Sequence, residues 1–120
     1  MTIPPAASEP GAARWNPDDI LSAMADPHRR RLLEELARRG EATATALAAV
    51  LPITRQGVVK HLAVLRKSGL VSGERQGREV RYRIQTSGLA GTARWMAGLA
   101  DQWDSRLADI KRIAESGLPE

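Results

Sequence analysis

The sequence contains no cysteine and no phenylalanine, and its only aromatic residues are three tryptophans and one tyrosine. Without thiols there is no disulfide, no thiolate metal ligand and no cysteine nucleophile. The absence also fits a reducing compartment, so a cytoplasmic location is expected. With aromatics at 3% of the chain, the core has to be built from Leu, Ile, Val and Ala, which suits packed helices. No apolar run approaches the roughly 20 residues that span a bilayer. Residues 1–10 lack the basic start and apolar stretch of a secretory signal, so neither a leader nor a membrane partner is expected. Signatures of catalysis are missing as well: there is no Gly-rich phosphate loop, no serine elbow and no cluster of metal ligands. Glu34, Glu35 and Glu41 read as solvated helix charges. The chain is therefore expected not to be an enzyme and to need no cofactor.

What is present is positive charge in one place. The net charge is +4 over 120 residues, but residues 54–83 alone carry eight basic side chains against two acidic ones. Residues 27–53 add +2, and 1–26 and 84–120 are both slightly acidic. A concentrated basic block is the electrostatic footprint of a polyanion binder, whereas evenly spread charge would only solubilise.

The length fits a single domain. Residues 1–14 hold Pro4, Pro5, Pro10 and Gly11 among Ala and Ser, and they read as a disordered arm. Residues 15–116 read as one domain. Asn16-Pro17-Asp18-Asp19 supplies a cap, a first-turn proline and two acids for the helix dipole, so a first helix is expected over 17–25. It presents Ile20, Leu21 and Met24. Asp26-Pro27 repeats the signal and opens a second helix that runs to about Arg39, where Gly40 stops it. Leu32, Leu33 and Leu36 face inward.

Thr43 opens a short third helix that Pro52 ends. Thr54 caps a fourth, which runs to about Ser68. Only about three residues separate these two helices, the spacing of a helix-turn-helix. After Gly69 the apolar period changes from 3.6 to 2. Leu70 and Val71, then Val80, Tyr82 and Ile84, flank Gln76-Gly77-Arg78, which reads as a hairpin with a glycine turn. From about Gly88 the helical period returns, and Met96, Ala100, Trp103, Leu107, Ile110 and Ala114 form one apolar stripe. The expected fold is mainly α with a β-hairpin wing: a winged helix-turn-helix followed by a long C-terminal helix.

The segment from Thr54 to Lys67 carries the chemistry. Wound as a helix, it sets Val58, Leu62 and Leu65 on one face for the core. Arg55, Gln56, Val59, Lys60 and Ala63 fall largely on the other. Gln pairs with adenine N6 and N7, Arg pairs with guanine O6 and N7, and a small apolar group meets the thymine methyl. Thr54 and the helix N-terminus suit a phosphate. Gly57, costly inside a helix, is explained either by a close approach to DNA or to the third helix, or by its place beside the turn. On the hairpin, Arg75, Gln76 and Arg78 flank the turn and are within reach of a minor groove or its phosphates. Arg81 and Arg83 lie opposite the Val80, Tyr82 and Ile84 face. The simpler alternative for the hairpin is a basic edge strand that discourages aggregation.

From Ala25 to Ile84 the chain resembles the ArsR-type family of winged-helix repressors. The matching stretches are Ala25 to Leu33, Leu47-Ala48, Lys60 to Leu65, Ser68 to Val71, Gly77-Arg78 and Tyr82 to Ile84. The resemblance implies a homodimer that binds palindromic double-stranded operator DNA. It also implies dimer contacts from the first and last helices, here residues 17–25 and 88–114. Ile20, Met24, Met96, Trp103, Leu107 and Ile110 are the residues expected at that interface. Many members sense metals through a Cys-x-Cys pair, and the matching positions here are Thr43 and Thr45. A second family site uses Asp and His on the last helix, and this helix offers Asp101, Asp104 and Asp109 without a histidine. The resemblance is therefore to the non-metal-sensing subgroup, and no metal site is expected. The stretch from Trp103 to Leu107 resembles members found beside small lipid- or hormone-binding-type proteins.

His61 stands where the family also places histidine, which implies a phosphate contact or a hydrogen bond that steadies the helix. His28 reads as a surface residue at a helix start, and the two histidines look too few and too far apart for a metal centre. Trp95 and Trp103 read as core or dimer interface, with an effector pocket between subunits as the sharper alternative. Trp15 is expected to staple the first helix to the partner. A small-molecule effector has a place in such a scheme but is not named by any residue. Two other classes stay open: a winged helix used only for protein–protein contact, without specific DNA binding, and an RNA binder. The first tends to lack a basic recognition face, and the second usually displays an aromatic platform that is missing here.

Overall fold

The computed structural model describes residues 16–116, so the expected arm over 1–14 and the Trp15 staple lie outside the described residues. The chain folds in the order α1 (Pro17–Met24), α2 (Pro27–Arg39), β1 (Ala42–Thr43), α3 (Ala44–Val50), α4 (Arg55–Lys67), β2 (Val71–Gln76), β3 (Glu79–Ile84) and α5 (Thr86–Ser116). Each of the first four helices begins at a side-chain cap. Asn16 accepts from the Asp18 N–H, Asp26 from those of His28 and Arg29, Thr43 from that of Ala46, and Thr54 from that of Gly57. Each cap satisfies donors that the first turn leaves without an intrahelical partner.

Ile20, Leu32, Leu36, Leu47, Val58, Leu65 and Leu70 are wholly removed from solvent, and Leu62 nearly so. This aliphatic core joins α1 to α4 and the base of the hairpin, and burial contributes about 1.5–3 kcal/mol for each such side chain. Ile20, expected at a dimer interface, is fully buried inside the subunit. The packing of α1 on the start of α5 turns it inward and leaves Leu21 as the exposed apolar residue of that helix. Val50 ends α3 on the outside, half exposed.

The hairpin gains a third strand. β1 pairs antiparallel with β3, Ala42 opposite Tyr82 and Thr43 opposite Arg81, giving the order β1-β3-β2. Gly77 turns the hairpin with φ +66, a conformation that side chains with a Cβ rarely adopt. The Gln85 N–H donates to the Leu70 carbonyl at 2.8 Å and closes the base of the hairpin.

α5 starts two residues earlier than its apolar period suggests. Its first turns are buried at Gly88, Gly91 and Thr92, and small residues there let α1 approach closely. From Ala93 to Ser116 every residue is exposed. Trp95 and Trp103 are thus outside the core of the subunit. No described helix is long and apolar enough to cross a membrane.

Candidate nucleic-acid interface

α4 is amphipathic in the sense its sequence implies. Val58, Leu62 and Leu65 are buried against α2 and α3, while Arg55, Gln56, Val59, Lys60 and Ala63 remain exposed. The exposed set mixes a planar amide, two cations and small apolar groups, the repertoire that major-groove edges accept. Arg55 is partly held, its Nε donating to Thr45 Oγ1 at 3.0 Å. That bond anchors the start of α4 to α3 and sets the guanidinium beside the wing. Arg55 and Val59 line one shallow cleft with Thr43, Thr45, Arg78 and Tyr82, so the recognition helix and the wing turn open to the same side.

Thr54 caps α4 through a 3.0 Å bond from the Gly57 N–H. A Cβ on Gly57 would lie 2.9 Å from Ile53 Cγ2 and 3.2 Å from Thr54 Oγ1. The glycine is therefore explained by the turn beside it, the simpler of the two readings. We expect Thr54→Ala to lower stability by about 1 kcal/mol in chemical denaturation, the usual cost of losing such a cap. A change below a few tenths would mean that the bond contributes little.

At the wing, Arg75, Gln76 and Arg78 are exposed around the turn. Arg81 is placed differently. Its guanidinium stands 4.0 Å from Glu41, which also binds Arg83 at 3.1 Å, so its charge is partly neutralised on the strand. The alternation of β3 sends both arginines to the β1 side, where Glu41 waits just before the strand. Arg66 ties α4 to β2, its Nη2 donating to the Gly73 carbonyl at 3.3 Å.

His61 does not face outward with Gln56 and Lys60. It lies half-buried toward α2, its Nδ1 3.5 Å from Arg29 Nη1 and its ring 5.7 Å from that of His28. Asp26 completes the group: one ligating atom from each of Asp26, His28 and His61 lies within 4.8 Å of the others. The two histidines, 33 residues apart in the chain, are thus neighbours in space. Packing of α4 on α2 makes this cluster, and no local pattern announces it. Burial works to raise the Asp26 carboxyl, but the backbone bonds from His28 and Arg29, with the charges of His61 and Arg29, hold it below the usual carboxylate range.

Comparison with known proteins agrees with this geometry. A helix-turn-helix domain family matches residues 24–74. The transcriptional repressor SdpR of Bacillus subtilis is 28% identical over 75% of this chain and 99% of its own length. The HTH-type transcriptional regulator YuzN of the same species is 41% identical, spanning 58% of this chain and 78% of its own. Among solved structures, an ArsR-like transcriptional regulator from Rhodococcus sp. RHA1 shares 42% identity with a TM-score of 0.76, over 82% of this chain and 90% of that one. With its basic recognition helix, its wing and these relatives, the chain belongs to the ArsR-type family of winged helix-turn-helix, DNA-binding transcription regulators.

Proposed function

We propose that this protein is a repressor that binds a palindromic operator as a homodimer, with one α4 helix in each of two successive major grooves. The observation that carries the reading is the shared opening of α4 and the wing turn. Arg55 and Val59 face the same cleft as Arg78, while the opposite face of α4 is sealed in the core. In this scheme Gln56 and Arg55 read base edges, Val59 meets a thymine methyl, and Thr54 and Lys60 hold phosphate. Arg75, Gln76 and Arg78 reach the adjacent backbone or minor groove, and Arg81 adds field rather than contact. Related dimers set their recognition helices about 34–36 Å apart, one turn of the duplex, so occupancy blocks transcription by its bulk. An effector, if one acts, must bind the free and DNA-bound forms with different affinity.

The test is fluorescence anisotropy of a labelled duplex from the gene's own upstream region, against a scrambled duplex, across a salt series. The expected result is preference for the upstream duplex and an affinity that falls steeply with salt. Removing Arg75 and Arg78 together should weaken both duplexes and flatten the log–log salt dependence by about one unit per lost phosphate contact, counted per subunit. Equal, weak binding to both duplexes, joined by a random-sequence selection that returns no preferred site, would overturn the proposal in favour of a protein-interaction module.

A further inference from the structure

Asp26, His28 and His61 bring a carboxylate and two imidazoles to one point at the edge of the subunit, away from the cleft between α4 and the wing. We propose that these three residues form a binding site for a divalent transition-metal ion, zinc above all, which joins the start of α2 to the recognition helix. The position differs from Thr43 and Thr45, where the chain offers no thiolate, and from the last helix, which has no histidine.

The donor set fits. Two neutral imidazoles and one carboxylate, with water in the remaining position, are a common zinc environment. The ligating atoms already lie within 4.8 Å of one another. A tetrahedral zinc with bonds of about 2.0–2.1 Å needs donor separations of about 3.3 Å, so the group must contract by roughly 1.5 Å. His28 is exposed and free to supply that movement, and its side gives the ion a route in.

Asp26 is already oriented. Its Oδ1 accepts from the His28 N–H at 2.7 Å and the Arg29 N–H at 3.3 Å, which fixes the carboxylate as outer bonds fix metal ligands generally. His28 Nδ1 stands 3.9 Å from that same oxygen. Arginine only donates, so in the neutral form of His61 the 3.5 Å approach of Arg29 Nη1 to Nδ1 favours the tautomer with its lone pair on Nδ1, the electrons a metal would take. The positive end of α2 and the Arg29 guanidinium oppose a cation, and the Asp26 charge offsets them. Arg29 also has firmer partners than the cluster. It donates to the Ala23 carbonyl at 2.6 Å and lies 3.4 Å from that of Ser22, against 3.5 Å to His61 and 3.9 Å to Asp26. The weaker pair can be released when an ion enters.

The experiment uses tag-free, chelator-stripped protein without DNA, so that metal binding is measured independently of operator binding. Cobalt(II) is titrated while the visible absorption of the ion is followed, and zinc is then added in competition. The expected result is one cobalt per chain, displaced by zinc, with affinity reduced about tenfold or more in each of Asp26→Asn, His28→Asn and His61→Asn. Asp26→Asn retains a capping acceptor and His28 is exposed, so these two variants keep the fold even if His61→Asn does not. No stoichiometric binding by the wild type, or binding undiminished in His28→Asn, would overturn the proposal.

Discussion

Glutamate in place of both Leu107 and Ile110 is expected to yield a folded monomer that no longer holds its operator. Neither residue supports the subunit: they are 56% and 58% exposed, on the part of α5 where nothing is buried. The circular dichroism of the core-packed helices should therefore be retained, with loss confined to the exposed arm of α5. The expected loss lies in association. Trp95, Met96, Leu99, Trp103, Leu107, Ile110 and Ile113 leave one side of α5 apolar over five turns, and a helical arm with such a face is marginal in water unless something covers it. A second copy of the same helix is the occupant that the proposed dimeric operator binding requires. Burial contributes about 1.5–3 kcal/mol per large apolar side chain. Two changes per subunit thus remove four contributions from a two-fold interface and place four charges there, and the dimer dissociation constant should rise by three orders of magnitude or more, by that same area scale. DNA affinity should fall about 10²–10⁴-fold, because each half-site then binds without the effective concentration that linkage supplies. Sedimentation velocity and anisotropy on the same samples measure the two effects. A variant that still sediments as a dimer would place the interface elsewhere.

The parts of this fold that sequence made legible are those governed by local chemistry. Asn16, Asp26, Thr43 and Thr54 mark helix starts because a short polar side chain before a helical period has one good use there. The wing shows in the change of period and in Gly77. What was hidden depends on pairing between distant segments. β1 is two residues long and exists only because β3 lies beside it, so Ala42-Thr43 carries no strand signal of its own. Ile20 and Leu21 are equally apolar neighbours on α1, and only the approach of α5 decides which is buried. Arg81 and Arg83 look like wing cations until Glu41, some 40 residues earlier, is folded against them. The histidines show the same limit. A family resemblance gave His61 a phosphate contact or a hydrogen bond that steadies the helix, while tertiary packing gives it Arg29, Asp26 and His28 as neighbours.

The recognition helix carries the second large effect. Gln56→Ala combined with Lys60→Ala should reduce operator affinity on the order of 100-fold or more, because a bidentate amide–adenine pair supplies about 1–3 kcal/mol of discrimination and a charged phosphate contact adds to it. Both side chains are exposed, and alanine favours helix, so the variant should unfold at or slightly above the wild-type midpoint. The two substitutions have different signatures when made singly. Lys60→Ala should weaken upstream and scrambled duplexes alike and lower the salt slope by about one unit per subunit, as expected for a phosphate contact. Gln56→Ala should leave the scrambled duplex nearly unchanged and weaken the upstream one, so that the ratio between them falls. The physical basis is the division of α4 itself. One face is locked by Val58, Leu62 and Leu65, which fixes the angle of the helix, and the other, apart from the Arg55 bond to Thr45, is open to solvent in the free subunit. A rigid helix presents its amide at one height and one rotation, and a single base pair can then be told from its neighbours. If Gln56→Ala weakens both duplexes equally, Gln56 is not reading a base, and specificity would have to come from Arg55 or from the shape of the duplex.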